Sequence, residues 1–311
     1  MKTKQIIFGV LITIAVLITA VSFLTLKSVH NRSTRYAEQD KAEPLYLNAK
    51  AFLEEGEYGR ACEVLSAVIN EYPKSPFAEQ AAKKLIEVYR QKGENRQARD
   101  HAVSLLENFP NIEDAGEIRS LVEDLNMKIM LSPEVTEDSV EYSIQPGDTL
   151  SGIARKFNTT VSMVKKVNGI TGDIIYPGRK LKVIVSKFSI FVNKHKNVLI
   201  LKKDNELFKI YTVSTGKDNS TPIGRFKIEE KMIKPLWYKV GAVVSADSEE
   251  YELGERWMGL SVEGYGIHGT SDETTIGSQV TRGCVRMYNA DVSELFDIIP
   301  SGTEVEIVDG V

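Results

Sequence analysis

The feature that most limits how this chain folds is a run of 21 residues, Ile6 to Leu26, without a charged side chain. At about 1.5 Å per residue, a helix of this length spans the ~30 Å hydrocarbon core of a bilayer. Lys2 and Lys4 also fit a cleaved signal peptide, but the apolar part of such a peptide is only about 7–15 residues long. We therefore expect residues 1–30 to form an uncleaved membrane anchor or signal-anchor helix, with 6–26 in the cytoplasmic membrane.

The composition of the chain is that of a folded protein with more than one domain. Its 311 residues are 42% hydrophobic and 26% charged, and 39 basic against 43 acidic residues give a net charge of -4. This near-neutral balance argues against a nucleic-acid partner, because such binding depends on neutralising phosphates. Two cysteines, Cys62 and Cys284, and four histidines occur in none of the spacings that hold zinc. We expect no disulfide framework, no metal and no organic cofactor.

A helical repeat occupies residues 43–131. Gly56, Ala61, Tyr72 and Pro73 recur as a glycine, an alanine, an aromatic residue and a proline, each 37 positions further along. Glycine separates the two helices of each pair, and proline stops the second helix. The pattern resembles tetratricopeptide repeats, whose period is about 34 residues. The resemblance implies stacked helix pairs that act either as a surface for a protein partner or self-association, or as a spacer.

A module with the order strand, helix, helix, strand follows a linker at 132–141. Residues 142–185 begin with alternating apolar residues, turn at Pro-Gly-Asp, and contain two short helical patterns before a second alternating segment. This order resembles a LysM module, which implies binding of N-acetylglucosamine-containing glycan between the first and last loops. By match to that family, the groove residues are Gly147, Asp148, Thr149, Ile175, Tyr176 and Pro177. The alternative is a structural spacer in which these residues only form turns.

From residue 187 to 309 the pattern changes to short strands separated by glycine and proline. Phe188, Ile190 and Val192 alternate, similar segments follow, and a helix is predicted near 291–298. This region is long enough to bury its own core, so we expect a compact, mostly-β domain.

Two glycine-flanked residues of this domain form a candidate nucleophile and base. Cys284 lies in Thr-Arg-Gly-Cys-Val-Arg-Met, and His268 lies in Gly-Tyr-Gly-Ile-His-Gly-Thr. A thiol attacks as its thiolate, and a neighbouring imidazole commonly removes the proton. The other histidines are poorer candidates, because His30 adjoins the expected membrane segment, His101 lies on a repeat helix and His195 lies at a lysine-rich hairpin. Taken singly, either residue is more simply a buried structural thiol or a core histidine.

The two segments together resemble the catalytic signature of the L,D-transpeptidase family. Thr221-Pro-Ile-Gly224, Gly254-Glu-Arg-Trp257 and the Ile-Gly before the cysteine segment also fit it. The resemblance covers about 187–309 and implies a cell-wall enzyme that acts on peptidoglycan stem tetrapeptides. In this family a cysteine displaces the terminal D-alanine, and an amine of a neighbouring stem resolves the thioester into a 3→3 cross-link.

The resemblance also assigns catalytic roles. It makes Cys284 the nucleophile and His268 the general base, with the carbonyl of Gly269 steadying the imidazole. Backbone N–H groups around Gly283 and Cys284 would form the oxyanion hole.

Substrate contacts are expected from three further residues. Arg286 is suited to a bidentate grip on a substrate carboxylate, and Arg282 and Tyr265 are further candidates. Many family members carry histidine where this chain has Arg282.

The sequence as a whole predicts a multidomain α+β protein of the cell envelope: a transmembrane helix, tetratricopeptide-like repeats, a βααβ LysM module and a mostly-β catalytic domain. Because peptidoglycan lies outside the cytoplasmic membrane, the catalytic domain is expected to be extracytoplasmic, in the periplasm or cell wall. Its expected partners are glycan strands and stem peptides. Two alternatives remain open: a non-catalytic scaffold in which Arg282 marks decay, and an L,D-carboxypeptidase in which water resolves the thioester.

Overall fold

The computed structural model describes residues 34, 37–239, 242–245, 248 and 251–310. The chain divides into two compact units between Leu125 and Asn126. The expected membrane segment 6–26 lies outside the described residues, and among those described no helix is both long and apolar enough to cross a bilayer.

The first unit is helical. Its helices are α1 (37–54), α2 (Tyr58–Glu71), α3 (Pro76–Gln91), α4 (Asn95–Asn108) and the start of α5 (Ala115–Leu131). Gly56 and Gly93 follow α1 and α3 with φ of 77° and 74°, the left-handed region in which glycine is favoured. Ala61 and Ala98 are fully buried at equivalent places on α2 and α4. The helical repeat is therefore confirmed.

The second unit begins with a βααβ module. It consists of β1 (Ser139–Ser143), α6 (Leu150–Lys156), α7 (Val161–Val167) and β2 (Lys180–Ile184). The two strands are antiparallel, with Val140 opposite Val183. Strand β1 therefore starts within the expected linker; the sequence did not indicate this, because the first residues of the strand bury the polar Ser139 and expose Val140, the reverse of the usual apolar pattern. Thr149 and Thr160 cap the two helices by accepting hydrogen bonds from Gly152 N–H and Met163 N–H, at 3.0 Å and 2.9 Å.

A large curled sheet, two small two-stranded sheets and a helix form the rest of this unit, which confirms the mostly-β expectation. The helices and strands of this region are β3 (Phe188–Asn193), β4 (Val198–Lys203), β5 (Glu206–Thr212), β6 (Thr215–Gly216), β7 (Gly224–Ile233), β8 (Trp237–Lys239), β9 (Ala242–Val244), β10 (Arg256–Leu260), β11 (Gly266–His268), β12 (Gln279–Thr281), β13 (Val285–Arg286), α8 (Asn289–Ile298) and β14 (Glu304–Val308). Eight strands make one sheet in the order β13-β11-β10-β7-β14-β3-β4-β5. Only β11–β13 and β14–β3 are parallel pairs within this sheet.

The βααβ module has a small core of its own and also contributes residues to the core of the sheet domain. Met163 and Val167 on α7 belong to the same buried cluster as Val292 and Leu295 on α8. Two polar contacts join the same helices: the hydroxyl of Thr160 donates to the carbonyl of Asp297, and Lys166 pairs with the Asp297 carboxylate at 2.6 Å. The module is thus packed against the sheet domain rather than suspended from it.

Candidate active site

The site is built on the strands at one end of the sheet. Strand β11 lies between β10 and β13, and alternation gives these strands two faces. Met258, Ile267 and Val285 form a buried row in the core that includes residues of α8. Trp257, His268 and Arg286, which are cross-strand neighbours, lie on the opposite face.

His268 has a fixed orientation. The residue is 4% exposed, and its Nδ1 lies 2.7 Å from the carbonyl oxygen of Gly269. Because a carbonyl oxygen only accepts, Nδ1 carries the proton and Nε2 keeps its lone pair. This is the tautomer that a general base requires.

The charge state of His268 follows from its burial. Burial, helped by the positive charge of Arg286 and opposed by hydrogen bonds to the backbone of Gly269 and Leu253, lowers the pKa of His268 to about 4. The imidazole is therefore neutral at pH 7 and can accept a proton during a reaction.

The neutral buried imidazole should make the second unit less stable in acid. Below pH 6.5 the unfolded chain protonates His268, whereas the folded chain does so only near pH 4, so stability falls as the pH falls through this window. At 1.36 kcal/mol per pKa unit, this group removes about 2 kcal/mol between pH 6.5 and 4.5. Urea unfolding followed by tryptophan fluorescence measures the loss, since both tryptophans lie in this unit. In His268→Gln the free energy of unfolding should fall by about 2 kcal/mol less over the same pH range. Equal losses in both proteins would contradict the low pKa of His268.

Trp257 forms a wall beside His268. The two rings stack with centroids 5.8 Å apart and planes at 26°. Two glycines make room for the indole: a Cβ on Gly266 would lie 2.6 Å from Trp257 Cη2, and one on Gly259 would lie 3.2 Å from its Nε1. The sequence offered only the position of Trp257 near the histidine segment, which did not distinguish a core residue from a site wall.

Cys284 directly precedes β13 and is partly exposed. Its Sγ lies 3.8 Å from the carbonyl oxygen of Gly264, a weak contact that a protonated thiol can donate. Burial raises the pKa of the thiol, while a hydrogen bond from the Gly266 backbone and the charge of Arg286 oppose the shift. Because β13 pairs with β11, the residue just before β13 (Cys284) and the last residue of β11 (His268) lie on neighbouring segments. The direction of both pKa shifts favours the neutral thiol and the neutral imidazole.

The turn before Cys284 is held by one hydroxyl. Thr281 Oγ1 accepts from Gly283 N–H at 3.2 Å and donates to the Cys284 carbonyl at 2.7 Å. Gly283 has a φ of 124°, and a Cβ there would lie 2.5 Å from Tyr265 Cε1. Glycine is therefore required both by the backbone and by the tyrosine ring. Because the Gly283 N–H is engaged with Thr281, an oxyanion hole in this turn would rely on the N–H of Cys284.

Arg286 retains hydrogen-bonding capacity. Its Nη1 donates to Thr275 Oγ1 at 3.1 Å, and its Nη2 lies 3.8 Å from the Glu252 carboxylate. The Nε is buried and has no hydrogen-bond partner among the residues that the structure describes. Arg282, by contrast, is exposed.

The predicted glycan residues divide into two groups. Asp148 and Thr149 shape the first loop: Asp148 accepts from Gln145 N–H at 2.7 Å and from the Tyr142 hydroxyl at 2.8 Å, bonds that lower its pKa, and Thr149 caps α6. These side chains act as turn residues.

Three of the remaining four candidates lie on the exposed surface of the module. Gly147, Tyr176 and Pro177 are exposed, with Tyr176 at 59%, whereas Ile175 packs on the module's core. Ile174, which the motif match did not select, is 74% exposed.

Comparison with known proteins assigns the sheet domain to a family. A model described as L,D-transpeptidase catalytic domain matches residues 187–307. "Putative L,D-transpeptidase YkuD" of Bacillus licheniformis is 35% identical over 175 residues, covering 53% of this chain and 97% of that protein. The chain belongs to the L,D-transpeptidase family. "Putative L,D-transpeptidase YqjB" of Bacillus subtilis is 40% identical over 126 residues, covering 39% of this L,D-transpeptidase and 70% of that protein.

The other regions of this L,D-transpeptidase also match family models. A LysM domain model matches residues 142–183, and a model described as an outer membrane lipoprotein matches 38–159. Among solved structures, an L,D-transpeptidase from Mycobacterium smegmatis is 17% identical with a TM-score of 0.35, covering 42% of this chain and 63% of that one.

Proposed function

We propose that this L,D-transpeptidase forms 3→3 cross-links between peptidoglycan stem peptides through a thioester on Cys284. The observation that carries the proposal is the neutral His268, held by Gly269 in the Nδ1–H tautomer on the strand next to Cys284. A base in this state can take the thiol proton as the sulfur attacks, which general-base activation of a nucleophile requires.

The first half-reaction forms the thioester. Cys284 Sγ attacks the carbonyl carbon that joins the third stem residue to the terminal D-alanine, and the thiol proton moves to His268 Nε2. The Cys284 N–H stabilises the oxyanion. The C–N bond then breaks, and Nε2 gives its proton to the nitrogen of the departing D-alanine. Arg286 suits the carboxylate of that D-alanine, because a guanidinium can donate two parallel hydrogen bonds to a carboxylate and Arg286 is the cross-strand neighbour of His268.

The second half-reaction resolves the thioester. An amine of a neighbouring stem attacks the thioester carbon, its proton passes to His268 Nε2, the C–S bond breaks, and the proton returns to sulfur. The product is an amide between the third residues of two stems.

Mass spectrometry of the products tests this proposal. The full chain in detergent is incubated with disaccharide tetrapeptides, and cross-linked dimers that have lost one D-alanine are expected. Tripeptides without dimers would instead identify an L,D-carboxypeptidase. A chain that gives neither product, and no covalent adduct with a carbapenem, would be a non-catalytic scaffold.

Glycan binding by the LysM module and anchoring by residues 6–26 complete the proposal. Together they place the active site outside the cytoplasmic membrane and beside its substrate, where binding to glycan raises the effective concentration of stems.

Substitution of the exposed LysM residues should weaken binding to purified peptidoglycan. Tyr176 is 59% and Ile174 is 74% exposed, so Tyr176→Ala with Ile174→Ser removes apolar contacts without disturbing the core. If the glycan covers one of these side chains on binding, its loss costs about 1.5 kcal/mol of binding free energy, or about tenfold in affinity. Co-sedimentation measures the change, with Tyr58→Ala on α2 as a control, since Tyr58 is 41% exposed. Equal retention of both variants would remove this surface as the glycan site.

A further inference from the structure

Asn289, the first residue of α8, reaches the backbone that carries the candidate base. Its Oδ1 accepts from Thr270 N–H at 3.2 Å and from Glu255 N–H at 3.0 Å, and its Nδ2 donates to the Thr270 carbonyl at 2.7 Å. One side chain thus holds two separate chain segments, those before β10 and after β11.

The bond to Thr270 N–H bears directly on His268. That N–H and the carbonyl of Gly269 belong to the same peptide group, and in a planar trans peptide they point in opposite directions. Fixing the N–H toward Asn289 therefore fixes the carbonyl toward His268 Nδ1, which lies 2.7 Å away.

The surrounding glycines support this interpretation. A Cβ on either Gly254 or Gly269 would overlap with Asn289 Oδ1, and Gly254 has a φ of 65°. Both segments therefore come close to the amide because they lack side chains at these two positions. A residue that only began a helix would not require glycine on two other segments.

We propose that Asn289 is a positioning residue that orients His268 through the Gly269–Thr270 peptide. The inference rests on the proposed role of His268 as general base. Asn289 does not touch the substrate; it holds the carbonyl that fixes the imidazole tautomer. In this way an amide side chain acts on the histidine across one peptide bond instead of by direct contact.

Nitrogen NMR of the full chain, labelled in its histidine rings and purified in detergent, tests the proposal alongside acylation by a carbapenem. In Asn289→Ala, His268 should populate both neutral tautomers, and acylation should slow about 10²-fold, the loss expected from a small misplacement of a catalytic group. Asn289→Asp keeps both acceptor bonds, loses the donor bond to the Thr270 carbonyl, and adds a negative charge near the imidazole. It should retain the Nδ1–H tautomer and move the acid limb of the acylation profile to higher pH.

Val292→Ala is the matched control, because Val292 lies on the fully buried face of the same helix. It should lower stability while leaving the tautomer and the acylation rate unchanged. A native tautomer and an acylation rate within threefold of the native one in Asn289→Ala would overturn the proposal. If that variant does not fold, an unshifted acid limb in Asn289→Asp overturns it. Undiminished acylation in His268→Gln would instead overturn the proposed function itself.

Discussion

Cys284→Ala should abolish the covalent carbapenem adduct that the native protein is expected to form. The sulfur supplies the bond to the acyl group, and no other group near β13 replaces that bond in the proposed reaction. Removing the nucleophile of an acyl-transfer enzyme lowers kcat by about 10⁶-fold. Intact mass should therefore show one adduct on the native chain and none on the variant, and cross-linked dimers should disappear with it.

Cys62 provides the control for this experiment, since the chain has two cysteines. It lies on α2, outside the segments that form the candidate active site, and burial raises the pKa of its thiol. Cys62→Ala should form the adduct at the native rate. An adduct that persists in Cys284→Ala, or one lost in Cys62→Ala, would contradict the assignment of Cys284.

The resting state of the pair affects how the reaction begins. Burial raises the pKa of Cys284 and lowers that of His268, so both shifts oppose a preformed thiolate–imidazolium pair. In the proposed reaction, proton transfer therefore accompanies attack on the substrate carbonyl. A neutral thiol would also be protected from oxidation between turnovers, because oxidation follows thiolate character.

The parts of the fold that depend on neighbouring residues were predictable from the sequence. Gly56 and Gly93 adopt the left-handed conformation that ends a helix, as the repeat of glycine between the two helices of each pair predicted. Such signals are local, because a cap or a turn involves residues within about four positions of one another.

Features that join distant segments were not predictable in this way. The packing of α7 on α8 brings together Met163 and Val292, and no periodicity in either helix identifies the other as its partner. Asn289 was missed for the same reason, since its role depends on glycines at 254 and 269 that come close only in the folded chain. Sequence patterns identify which faces are buried, whereas the partner of each face follows from the tertiary fold.

Replacing His268 should remove most of the acylation activity and should also abolish the fall in acylation rate at low pH. General-base catalysis contributes about 10²–10⁴-fold, so His268→Gln should slow carbapenem acylation by about that factor. In the native chain the rate should be constant at neutral pH and fall as the pH approaches about 4, where the imidazole becomes protonated. The variant should lack this fall, because glutamine does not titrate. Stopped-flow measurement of acylation from pH 7 to pH 4 gives both results.

His101 is a matched control for this prediction, because burial lowers its pKa as well, but it lies on α4 in the first unit. His101→Gln should keep both the native rate and the native acid limb. If His268→Gln acylated at the native rate, another group would have to be the base. If the native acid limb lay near pH 6.5, the ordinary pKa of a histidine, His268 would be solvated in the working enzyme.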